Sequence, residues 1–233
     1  MKDNILSICL GNDNGKLCGS KNDAILFLNY LNLLHVETRL NQHWYKPKLF
    51  INDNVVEDNL RKYIENFDKK IDIILLYYSG HGFKDGKINI KTKEKNMVIS
   101  DYSLIKLIND SIKNEVILYI ILDCCYAGGF KIIPYDKVKK INLFASSSSN
   151  QLSYEGTINE EVLQNKLKNR MNVKELIRVK NSIIIGVFTY NLVDLLNQKD
   201  YKNINDWYKL KDETNLWKSI NFIADQNPIF IWE

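Results

Sequence analysis

Short runs of apolar residues alternate along this chain with stretches whose apolar positions recur every three or four residues. The first pattern predicts buried strands and the second amphipathic helices. Residues 5–10 read as a strand followed by a Gly/Asn loop. From 23 to 36, Ala24, Phe27, Leu28, Leu31 and Leu34 fall at helical spacing. Residues 47–51 read as a second strand, ended by Asn52-Asp53-Asn54, and 55–67 as a helix. The runs 71–78 and 116–122 are almost wholly apolar, as expected of strands covered on both faces. Between them lie a small hairpin (87–99) and a helix (102–112), and a further strand follows at 141–145.

This order predicts an α/β fold: a mostly parallel central sheet with helices on both sides, a three-layer α/β/α sandwich. Beyond Ser146–Ser149 the chain turns polar and Lys-rich. Residues 150–181 read as a long loop holding a helix near 160–168. Helices follow at 188–196 and over much of 204–223, and a strand closes at 228–232. The expected organisation is one domain, with a large part (1–149), a linker (150–181) and a small part (182–233). Trp207, Tyr208 and Trp217 sit at helical spacing and read as packing residues.

Composition narrows the function classes. The 233 residues are 45% hydrophobic and 26% charged, an ordinary globular balance. The net charge of +4 is spread among acids with no basic stripe, so nucleic acid is not an expected partner. The apolar start at 5–10 is too short for a signal peptide or a membrane span. Cysteines 9, 18, 124 and 125 form no CxxC pair, which leaves zinc and thioredoxin-type readings without support. A reducing, cytoplasmic setting is expected, with no membrane partner. A nucleotide-binding domain would need a phosphate loop after the first strand. Gly11-Asn12-Asp13-Asn14-Gly15 lacks the Lys and Ser or Thr of such a loop.

Candidate chemistry gathers at two strand ends, where open α/β sheets place their functional groups. The run 71–78 leads into Ser79-Gly80-His81-Gly82, and 116–122 into Asp123-Cys124-Cys125-Tyr126-Ala127-Gly128-Gly129. Each puts a reactive side chain in a glycine-flanked turn. A thiol needs a base to act as a nucleophile near neutral pH. His81 is the candidate, since His35 falls in a helix and His43 in a polar loop. Alternation along an extended strand puts Asp123 and Cys125 on one side and Cys124 on the other. Ser79 and His81 are related in the same way.

These motifs resemble the caspase-like cysteine peptidases, most closely the metacaspases. Tyr77-Tyr78-Ser79-Gly80-His81-Gly82 is similar to the family's histidine motif, and Asp123-Cys124-Cys125-Tyr126-Ala127-Gly128 to its cysteine motif. The two reactive residues are 44 positions apart, near the roughly 50 known in this group. Weaker matches are Gly19-Ser20-Lys21-Asn22-Asp23-Ala24, Phe188-Thr189-Tyr190 and Gln226-Asn227-Pro228. The resemblance implies that Cys125 attacks the scissile carbonyl, that His81 is base and then acid, and that the N–H groups of Gly82 and Cys125 form the oxyanion hole. It implies an S1 pocket built from Ser20, Asp23, Ser79 and Asp123, hence cleavage after Arg or Lys. True caspases bind Asp through an arginine, and Leu17 stands in that position here.

The resemblance also has departures. Many metacaspases need calcium; here only Asp101 loosely matches a ligand position, Ile132 replaces another, and a short Phe83–Lys87 turn replaces an acidic insertion. No metal or other cofactor is therefore expected. Tyr126 stands where the family has His. The expected partners are proteins or peptides with exposed Arg or Lys, cut by a monomer. Basic residues at 166, 168, 170, 174, 178 and 180 make the 150–181 segment a candidate for self-processing. The alternative is a catalytically silent scaffold of the same fold that binds protein partners.

Overall fold

A computed structural model describes residues 2–13, 19–37, 42–91, 98–167, 171, 173–179, 182–199, 201–213 and 226–232. In chain order its elements are β1 (Asp3–Asn12), α1 (Ser20–Glu37), β2 (Gln42–Trp44), β3 (Lys48–Ile51), α2 (Glu57–Glu65), β4 (Ile73–Gly80), β5 (Gly82–Phe83), β6 (Lys87–Lys91), β7 (Val98–Ile99) and α3 (Asp101–Ser111). Then come β8 (Val116–Asp123), β9 (Val138–Ala145), β10 (Glu155–Asn159), α4 (Glu160–Lys166), β11 (Arg178–Val179), β12 (Ser182–Gly186), α5 (Val187–Gln198) and β13 (Ile229–Ile231). Short 3-10 turns include Lys84–Gly86, Ala127–Gly129 and Ile204–Asp212.

The main sheet is seven-stranded, in the order β13-β9-β8-β4-β1-β2, with β3 pairing further along β1. All its pairings are parallel except that of β13 with β9. The central apolar strands carry two cores at once, because side chains alternate across a sheet. Ile73, Leu75 and Tyr77 pack with Phe27 and Leu31 of α1 and Phe188 and Leu192 of α5. Ile74, Leu76 and Tyr78 pack with Leu60 and Ile64 of α2 and Leu104 and Ile108 of α3. The three-layer α/β sandwich expected from the sequence is therefore the architecture found.

Three differences have physical causes. α1 starts at Ser20, ahead of its apolar stripe, because the Asp13 carboxylate accepts the Lys21 N–H at 2.8 Å and the Gly19 carbonyl the Asp23 N–H at 2.8 Å. β2 was not anticipated; it has only three residues. Most of the difference lies in 150–181, expected as a loop around one helix. β10 and β11 flank β12 in a second, antiparallel sheet of order β10-β12-β11. β10 buries none of its five residues fully, so no apolar signature marks it. Arg178, offered above as a self-cleavage site, lies in β11 and grips Glu160 with two bonds of 2.7 and 2.8 Å. Lys168, Arg170, Lys180 and Trp217 lie outside the described residues.

Trp207 is fully buried against Phe27, Tyr30, Trp44 and Phe144, and its indole N–H donates to the Tyr201 carbonyl at 3.0 Å. Tyr208, its neighbour, is exposed. Trp207→Ala should lower unfolding stability by about 3–5 kcal/mol, seen as a lower urea midpoint. Tyr208→Ala should leave the midpoint nearly unchanged.

Candidate active site

β4 and β8 lie side by side at the centre of the sheet, in a register that pairs Ser79 with Asp123. His81 and Cys125 each follow two residues later, so they leave the sheet at the same level on adjacent strands. The two turns touch. A Cβ built on Gly82 would sit 2.0 Å from the Cys125 carbonyl oxygen and 2.8 Å from Cys124 Sγ. Only glycine permits that approach. The Tyr78 hydroxyl ties the histidine turn down from below, donating to the His81 carbonyl at 2.8 Å and accepting the Asn89 N–H at 3.1 Å.

Cys125 is half-buried, with Sγ 3.9 Å from the Ser153 carbonyl oxygen. Cys124 is buried on the opposite side, in the core with Leu122, Ala127 and Phe130. Burial pushes the Cys124 thiol well above its usual pKa, which keeps it protonated and inert. Cys124 is thus buried and Cys125 half-buried, both just past the end of β8. Cys18 lies outside the described residues.

Ser20, Asp23, Ser79 and Asp123 line one small cavity, and Cys125 borders it. Asp23 does not cap its own helix. Its carboxylate accepts the Gly186 N–H at 2.6 Å and the Ser79 hydroxyl at 2.8 Å. Asp123 accepts the Ser153 hydroxyl at 2.6 Å, and the Thr189 hydroxyl and N–H at 2.6 and 3.1 Å. Thr189 belongs to the first turn of α5, so the positive end of that helix faces the carboxylate. Gly186 is wedged between the two acids: a Cβ there would lie 2.3 Å from Asp123 Oδ2 and 2.9 Å from Asp23 Oδ2.

Four site residues were missed in the sequence: Ser153, Glu155, Gly186 and Thr189. Thr189 stands inside the Phe-Thr-Tyr motif noted above, though nothing in the motif names its partner. Gln226 likewise belongs to a noted motif; its amide donates to the Ser153 hydroxyl at 2.9 Å. Glu155 adds a third carboxylate to the cavity wall and accepts the Gly19 N–H at 2.8 Å. No local pattern announces it, because it is an exposed residue of an inconspicuous strand.

The cavity is strongly acidic. Asp23 and Asp123 are both buried, and desolvation raises the pKa of each. For Asp23 the nearby Asp123 charge adds to the rise, and the shift is large. Hydrogen bonds from Gly186 and Ser79 offset part of it. A cation entering the cavity would reverse the balance, since it favours the ionised forms. The volume is only ≈ 30 Å³, room for one or two waters. Among the described residues no cluster of three or more His, Cys, Asp or Glu is arranged to hold a metal ion. Among them, no helix is long and apolar enough to cross a membrane.

The strained carboxylate has a consequence for stability. Asp23 titrates at about its ordinary 3.8 when unfolded and well above that when folded. Between those values the folded state holds a proton that the unfolded state has released, so stability falls as pH rises. Asp23→Asn removes that contribution while its amide oxygen can still accept the Gly186 N–H. Urea midpoints measured from pH 4 to 8 should decline less steeply for Asp23→Asn than for the wild type.

The family model of the caspase domain matches residues 6–210 of the chain. A search of curated proteins gives no match. The match takes in both glycine-flanked turns, the acidic cavity and the central strands β4 and β8, and the chain belongs to the caspase-domain family of cysteine peptidases.

Proposed function

We propose that this peptidase cuts polypeptides after Arg or Lys. One observation carries the reading: two buried, hydrogen-bonded carboxylates share a cavity with the cysteine that leaves the central strand β8. Buried carboxylates without a cation are poorly matched to their surroundings. A guanidinium or ammonium inserted between Asp23 and Asp123 supplies the missing charge, and an acidic or apolar side chain does not.

In this reading His81 takes the Cys125 proton and the thiolate attacks the scissile carbonyl. The oxyanion is met by the N–H groups of Gly82 and Cys125, which belong to the two touching turns. His81 returns the proton to the leaving amine, and a thioester remains on Cys125. Water activated by His81 then hydrolyses that thioester and frees the enzyme. Ser20 and Ser79 complete the polar lining of the pocket, and Glu155 at its mouth adds negative charge.

We further infer that the reaction needs no calcium. Asp101, the one side chain resembling a family ligand, spends both carboxylate oxygens on backbone donors, Tyr102 N–H at 2.6 Å and Lys131 N–H at 2.9 Å. It acts as a clamp between α3 and the segment after the nucleophile turn.

Kinetic measurements test these readings. With a fluorogenic peptide ending in Arg, Cys125→Ala and His81→Ala should each lower kcat/KM by about 10⁴-fold or more. Asp23→Asn should lower it about a hundredfold, mainly through KM. Wild-type kcat/KM should rise with pH as the two carboxylates ionise, because only the ionised forms bind the cation. Equal hydrolysis of peptides ending in Asp and Arg would overturn the specificity. Separately, a calcium chelator should leave the rate unchanged; loss of activity restored by calcium would overturn the second inference.

A further inference from the structure

We propose that Lys84, on the turn after His81, selects an acidic side chain immediately after the cut bond, beside the Tyr126 ring. The proposal rests on the reading that Cys125 and His81 act together beside a basic-side-chain pocket.

Backbone conformation first draws attention to this place. Among the described residues three non-glycine positions have positive φ: Asn52, Asp85 and Tyr126. Two of those three, Asp85 at 70° and Tyr126 at 57°, lie in the turns that follow His81 and Cys125. Such conformations persist where the surroundings over-determine them, often at ligand-contacting sites. Here the constraints are visible. The Tyr126 N–H donates to the Gln151 carbonyl at 2.7 Å, and its carbonyl accepts the Gly129 N–H at 2.9 Å. The two turns also interlock: Gly86 has a φ of 71°, and a Cβ on it would fall 2.6 Å from the Gly129 carbonyl oxygen. The backbone at Tyr126 is thus held by the double turn.

What the turns display is two cations, Lys84 and Lys87, the exposed Asp85 and two rings. The Lys84 ammonium lies 5.9 Å from the centre of the Tyr126 ring. Phe83 is 41% exposed beside it, with Lys87 as its cross-strand partner. Lys84 forms no ion pair among the described residues, and the adjacent Asp85 is exposed and not paired with it.

Position turns this surface into part of the substrate path. The acidic cavity opens on the side of the sheet that carries α1 and α5, where Asp23 and Thr189 reside. The double turn is anchored on the other side, through Ala127, Phe130 and Ile88 in the core with α2 and α3. None of Phe83, Lys84 and Tyr126 lines the acidic cavity. A peptide with its basic side chain in that cavity and its carbonyl at Cys125 continues toward Lys84. The site therefore presents negative charge before the cut bond and positive charge after it. A substrate with a basic residue followed by an acidic one matches both.

The test is cleavage profiling of a proteome-derived peptide library with wild type and Lys84→Glu, reading residues on both sides of every cut. In the wild type, Asp and Glu should be enriched directly after the cut. Paired synthetic peptides with Arg before the cut and Glu or Lys after it should then differ by roughly threefold to fivefold in kcat/KM, the gap narrowing at high salt. In Lys84→Glu the Glu-to-Lys ratio should invert. Because each ratio is taken within one protein, a smaller folded fraction does not alter it. Cuts after Arg or Lys with no acidic enrichment, or a ratio unchanged by Lys84→Glu, would overturn this proposal alone. Cuts after other residues would overturn the pocket reading on which it rests, and no cleavage by the wild type would overturn both.

Discussion

The whole site depends on the parallel pairing of β4 with β8 in one register. That register makes Ser79 and Asp123 neighbours, and the candidate site is counted from there. One step below lie Tyr78 and Leu122, buried in the α2/α3 core. Two steps above come His81 and Cys125. A slip of one residue would exchange the faces, sending the polar pair into an apolar core. The long apolar runs on both strands prevent that slip, so the hydrophobic effect fixes the alignment of reactive groups that take no part in it.

Around this axis the chain gathers polar groups from distant elements at one end of the sheet. Asp23 comes from α1, Ser153 and Glu155 from the segment entering β10, and Gly186 and Thr189 from the junction of β12 with α5. Each carboxylate is held by a few donors, yet burial still raises its pKa. Binding sites are commonly built at such a cost to stability. The absence of any Cβ at Gly186 lets both acids approach the helix start together.

The legible parts of the sequence were those with strong local signals. The two apolar strands and their glycine-flanked ends could be read directly. The amphipathic helices were visible within a few residues of their ends. What escaped lacked such contrast. β2 is too short to show a period, and β10 alternates only between half-buried and exposed positions. Glu155 takes its place in the cavity through a tertiary bond to Gly19, and no spacing rule connects positions so far apart. The misreading of 150–181 as mostly loop has the same origin. A small sheet with one strand buried on its inner side looks polar in sequence.

The link from Gln226 through Ser153 to Asp123 has a consequence for biosynthesis. Residues 226–231 are translated long after His81 and Cys125. Until they dock beside β9, the wall that steadies Asp123 is missing its outer support. In a chain still being synthesised, the hydrogen bond from Gln226 to Ser153 therefore forms only after the strands that lead to His81 and Cys125 are made.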